Sequence, residues 1–135
     1  MDLMNFTPKI DDIVVELVLK KPDGTELPIT NEDGTPMTIT VMAPFDKRSK
    51  EIVSRLNEER IAIATKKGDK KISLNDAEET FIKTLVETTV DWNITWGGEK
   101  PVFNKELAKD VYEKAFWIRT LVEEAKAKTL DFMQA

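Results

Sequence analysis

The chain of 135 residues is 41% hydrophobic and 33% charged, carries a net charge of −5, and contains neither cysteine nor histidine. That balance suits a domain able to bury a real core and is too apolar for a disordered chain. It excludes disulfides and thiolate metal sites, removes the commonest general base and transition-metal ligand, and argues against non-specific nucleic-acid or membrane binding.

Residues 1–11 read as a short lead-in. The start Met1–Phe6 shows no basic region ahead of an apolar core, hence no secretory signal, and the longest apolar runs fall far short of a membrane span. Ile13 to Leu19 (IVVELVL) is rich in β-branched residues and predicts a strand. Pro22-Asp23-Gly24 is a turn, because proline fixes φ and glycine accepts positive φ. Leu27 to Thr30 predicts a short second strand, Asn31 to Thr35 another turn, and the alternating Met37 to Met42 a third strand. Residues 12–43 therefore read as an antiparallel meander. A bare ribbon is marginal in water, so it must lie against helices or a neighbouring subunit, and its edge could accept another chain.

The segment 44–135 reads as helical. Asp46 is placed to cap a helix running to about Ala64, with Ile52, Val53, Leu56 and Ile63 on its apolar side. The basic run Lys66 to Lys71 breaks it. Asn75 with Glu78 forms a capping-box signature for a second helix that buries Ala77, Phe81, Ile82, Leu85 and Val86 and ends near Val90. The whole predicts one α+β domain over 1–135: an N-terminal antiparallel β-meander of two or three strands followed by three or four α-helices, helix-dominated.

Asp91 to Phe132 is the most informative stretch. All three tryptophans, Trp92, Trp96 and Trp117, lie in it, together with Phe103, Phe116, Phe132 and the only tyrosine, Tyr112. Aromatic side chains carry an outsized share of core and interface energy, so packing or partner recognition is expected to centre here. Gly97-Gly98 supplies a tight turn, Pro101 keeps the chain extended, and Asn104 is a good N-cap, with Phe103 and Ala108 at staple positions. Apolar residues then recur at Leu107, Val111, Ala115, Ile118, Val122, Ala125, Thr129 and Phe132, widened by Trp117 and Leu121. Those steps of three and four mark one helical face. Lys109 with Glu113 and Glu124 with Lys128 can pair across one turn. The pattern fits one helix or two broken near Lys114 to Phe116.

Catalysis without His or Cys would need paired carboxylates or a Ser-Lys arrangement. The Asp and Glu residues fall on helix surfaces and in turns at no distinctive spacing, so ordinary solvation explains them. Asp33-Gly34 lacks the alternating oxygens and closing Glu of an EF-hand, and Gly97-Gly98-Glu99-Lys100 lacks the spacing of a phosphate-cradling loop. No enzyme activity, cofactor or metal is expected. Lys47-Arg48-Ser49-Lys50 and Lys66 to Lys71 could touch phosphates, but both lack interleaved aromatics and read as solvated surface. Trp117 reads as core. For Trp92 and Trp96, core and partner surface both remain open.

The order of these features resembles a known family. A tryptophan, a Gly-rich turn, a Pro101-Val102-Phe103-Asn104 arm, a helix, an aromatic pair at Phe116-Trp117 and a terminal Asp131-Phe132 resemble the tail assembly chaperones of long-tailed bacteriophages (siphovirus type), over roughly residues 80–133. The family often has proline where Phe116 stands. The resemblance implies a host-cytoplasmic morphogenesis factor, absent from the mature virion, that keeps the tape measure protein soluble and helps recruit major tail (tube) protein subunits. It further implies a frameshifted longer form of the same protein as partner, and homo-oligomers. Candidate partner-binding residues on this reading are Trp92, Trp96, Phe103, Trp117 and Leu121. The alternatives are a small phage or bacterial regulatory or nucleic-acid-associated protein, and a virion connector component.

Overall fold

In a computed structural model the described residues are 14–66 and 74–134, with the side chains of 63–66, 74–76 and 130–134 left aside. The order of elements is β1 (Val14–Val18), β2 (Thr38–Met42), α1 (Lys47–Lys66), α2 (Leu74–Thr88), β3 (Thr89–Asn93), α3 (Lys105–Lys114) and α4 (Phe116–Gln134). The architecture is α+β: a three-stranded antiparallel sheet in the order β1-β2-β3, with four helices.

The strand expected second, Leu27 to Thr30, does not form, whereas the one expected third is β2. Leu27 to Thr30 makes only two isolated bridges, Lys20 with Pro28 and Thr30 with Pro36. Both bridges end on a proline, which has no N–H to extend a ladder. The third strand is instead Thr89–Asn93, which follows α2 without a loop and pairs with the other side of β2, Ile39 facing Trp92 and Thr40 facing Asp91. Val90 is the extra residue of a bulge, since Asp91 and Thr89 face consecutive residues Thr40 and Val41. The bulge explains how Thr89 and Trp92, three apart, both point inward. On β2 the alternation is regular, with Ile39 and Val41 fully buried.

A buried asparagine fastens the loops to the sheet. Asn31 donates to Thr35 Oγ1 (3.2 Å) and Asn93 Oδ1 (3.3 Å), and accepts from the Thr95 hydroxyl (2.6 Å). Next to it, Lys100 Nζ lies 2.6 Å from Asp33 Oδ2. That ammonium, and then the Thr35 hydroxyl and amide, hold the Asp33 carboxyl far below the usual carboxylate range. Because Asn31 is buried and bonded on both its amide ends, Asn31→Ala is expected to cost about 1–3 kcal/mol in urea unfolding. Loss of the mutant's stability within a few tenths of wild type would show that the loops hold without it.

α1 is capped as expected, Asp46 Oδ1 accepting from the Arg48 amide at 2.8 Å. Its apolar side is thinner than its sequence suggests: Leu56 is buried, whereas Val53 and Ile61 are exposed. The remainder of the basic run from Lys67, the lead-in 1–11 and the Asn75 side chain lie outside the described residues. α2 ends at Thr88; Ile82, Leu85 and Val86 are buried, while Phe81 is 36% exposed. Glu87 ties three helices together, 2.9 Å from Lys105 of α3 and 3.6 Å from Arg55 of α1.

After Asn104, whose side chain accepts from the Leu107 amide at 2.8 Å, there are two helices. The break is the single residue Ala115, at φ −98° and ψ 73°. It occurs although Phe116 stands where a proline would have forced it. The core unites both helices with the sheet, through Leu17, Leu19, Ile39, Val41, Leu85, Trp92, Val111, Tyr112, Ile118 and Val122. Lys109 lies 3.9 Å from Glu113, at the outer limit of an ion pair.

Candidate functional site

The Gly97-Gly98 turn builds the aromatic segment. Both glycines have positive φ (64° and 82°), the left-handed geometry of a two-residue hairpin turn, and Trp96 and Glu99 bond across it (2.8 and 3.3 Å). The returning chain carries Pro101 to Phe103 over β3. There the Trp92 indole Nε1–H donates to the Pro101 carbonyl at 2.9 Å, and the Trp92 and Phe103 rings meet edge to face, 5.1 Å apart at 90°. Such a pair contributes beyond its buried area. The turn therefore closes a lid on the sheet's third strand.

The five candidate residues separate in space. Trp92 is only 8% exposed and belongs to the interior, while its partner Phe103 is half-buried against it. Trp96, Trp117 and Leu121 are half-buried, packed on the core with one side outward. Leu121 lines a groove of about 320 Å³ between β1 and α4 together with Leu17, Ala125 and charged residues of both signs, among them Lys20, Glu26, Glu124 and Lys128. A contiguous hollow of about 340 Å³ continues past Val15 to Thr129. Among the described residues β1 pairs with β2 alone.

Two exposed apolar side chains on the same segment were not among the five candidates. Val102 is 87% exposed in the extended arm and Phe116 is 68% exposed at the start of α4. Phe116 is held from beneath: the Arg119 guanidinium carbon sits 4.7 Å from its ring centroid, and Arg119 Nη1 lies 3.2 Å from Glu78 Oε1 of α2. A mostly buried arginine with an aromatic over it costs the ring mobility and presents it to solvent in a defined place. The available signal was the departure of Phe116 from the expected proline, and a β-branched residue after Pro101 with no strand to join.

Beneath the surface runs a polar seam. Thr89 donates to the Leu85 carbonyl (2.6 Å), so the Tyr112 hydroxyl, 2.7 Å away, donates to Thr89. Burial pushes the Tyr112 phenol up to about 12. Lys126 of α4 donates to the Thr88 hydroxyl at 3.1 Å, and burial pulls its ammonium below the usual lysine value. These bonds join α2 and β3 to α3 and α4.

Of the basic residues at 47–50, Arg48 is engaged with Asp46 at 2.9 Å. Among the described residues no cluster of three Asp or Glu side chains could hold a metal, and no helix is long and apolar enough to cross a membrane. No protein-family model, curated protein or solved structure matches this chain.

Proposed function

We propose that the chain is a tail assembly chaperone: it binds the tape measure protein in the host cytoplasm, keeps it soluble, and helps recruit tail-tube subunits while remaining outside the finished virion. The observation that carries this reading is a run of outward apolar side chains on one segment, Trp96, Val102, Phe116, Trp117 and Leu121, in a net-acidic chain. Exposed apolar groups rimmed by charge suit many weak, exchangeable contacts along an apolar helical client. The features from Trp92 to Phe132 that resemble the family support the same reading. Trp92 and Phe103 act on it indirectly, by fixing the turn from which Trp96 and Val102 project. Homo-oligomers, and association with a frameshifted longer form, would multiply these contacts by avidity.

Co-expression with a tape measure protein tests the proposal. Soluble tape measure that co-purifies with this chain is the expected result; tape measure left in the pellet refutes it. Trp96→Ala and Phe116→Ala are expected to lower recovery several-fold with an unchanged far-UV circular dichroism spectrum. Mass spectrometry of purified particles separates a chaperone, which is missing from them, from a connector, which is present.

A further inference from the structure

Local and tertiary preferences disagree at Ala115. Lys105 to Gln134 contains neither proline nor glycine, and alanine is the strongest helix former. The apolar stripe passes through the break in phase: Ala108, Val111, Ala115, Ile118 and Val122 follow at steps of three and four, and all are buried. α3 keeps its ladder up to Ala115, whose N–H reaches the Val111 carbonyl at 2.7 Å. α4, by contrast, starts badly. Ala115 has no side chain to cap it, Ile118 bonds the Ala115 carbonyl at 3.0 Å, and the amides of Phe116 and Trp117 find no backbone acceptor among the described residues. A continuous helix would offer those amides the carbonyls of Tyr112 and Glu113. Tertiary packing opposes it, because α3 lies along α2 while α4 turns back to cover β1.

We propose that Ala115 is a hinge through which two copies of this chain exchange α4. In the exchanged dimer Lys105 to Gln134 forms one helix about 45 Å long. Each α4 then lies over the partner copy's β1, making the contacts it now makes within its own chain. Exchange therefore loses no burial and gains the backbone bonds missing at the junction, which is the condition for swapping identical elements between protomers. The core of each copy is incomplete without the other's Ile118 and Val122. This inference stands apart from the tape measure reading.

The absence of cysteine makes the test clean. Val15 and Ala125 line the same hollow, on β1 and α4 respectively. A Val15→Cys variant is refolded together with an Ala125→Cys variant at high concentration and treated with a short bismaleimide. The expected product is a covalent dimer of one chain of each kind, identified by mass. The same mixture carrying Phe116→Pro is expected to give at least ten-fold less, because proline is tolerated at the first position of a helix and forbids continuation from α3. Phe116→Ala controls for the lost ring and is expected to cross-link like the parent. Links confined to one chain in the Val15→Cys/Ala125→Cys double variant, with none between chains, overturn the proposal. So do links only between like thiols, or a mixed dimer undiminished in folded Phe116→Pro. Should Phe116→Pro fail to fold, the parent mixture decides alone.

Discussion

Replacing Trp92 with alanine is expected to cost about 3–5 kcal/mol of folding stability, the range for emptying a large aromatic site in a core. Trp96→Ala, four residues away, is expected to cost about 1 kcal/mol. The difference follows from position on the hairpin. Trp92 faces Ile39 across the sheet, meets Phe103 edge to face and gives its indole proton to the Pro101 carbonyl. Truncation removes that burial and leaves the carbonyl without its donor. Trp96 sits one step from the Gly97-Gly98 reversal with one side in solvent, and its pairing with Glu99 uses backbone atoms that alanine retains. Urea unfolding of both variants against wild type measures the contrast. Equal large losses would place both indoles in the core and remove Trp96 from the set of partner contacts.

Alkaline pH provides the second large effect. Burial raises the Tyr112 phenol from 10.0 to about 12, so the folded state keeps a proton that the unfolded chain gives up. Its contribution is fully present below pH 10 and is lost as pH rises from 10 towards 12, in total about 2–3 kcal/mol. Lys126 acts with the opposite sign. Burial lowers its folded value below 10.5, so the folded state is penalised while the amine is charged, and stability rises with pH as the folded amine loses its proton, up to 10.5. The two are separated by Tyr112→Phe. That variant is expected to cost about 1 kcal/mol near neutral pH, from the acceptor left on Thr89, and to flatten the decline between pH 10 and 12. Urea midpoints across pH 8 to 12 check it; an unchanged slope in Tyr112→Phe would mean that other groups carry the alkaline loss.

Both predictions rest on contacts distant in sequence, and so does the division of the aromatic segment. The spacing of Trp92 and Trp96 allowed core or surface for either. The β3 pairing decided, because a strand joining the sheet turns Trp92 onto the core face, while the next residues leave the sheet and reverse at the glycines. Leu121 lay on the apolar stripe, yet its groove exists because α4 is brought against β1. Phe116 projects outward because the ring packs on Arg119, and Arg119 is drawn to Glu78 from a helix 41 residues earlier in the chain.

Short-range chemistry alone located β1 and β2, the caps at Asp46 and Asn104, the Gly97-Gly98 turn and the helical face from Leu107 onward, since each signal depends on neighbours within about four residues. The tertiary structure decided the rest. Thr89–Asn93 became the third strand because β2 offered a free edge and Pro28 and Pro36 could not extend the rival one. Ala115 left the helix because α3 and α4 must cover different surfaces, α2 and β1, and no straight helix reaches both. An in-phase stripe carries no record of that competition, because the residues on either side of the break want the same core from different directions.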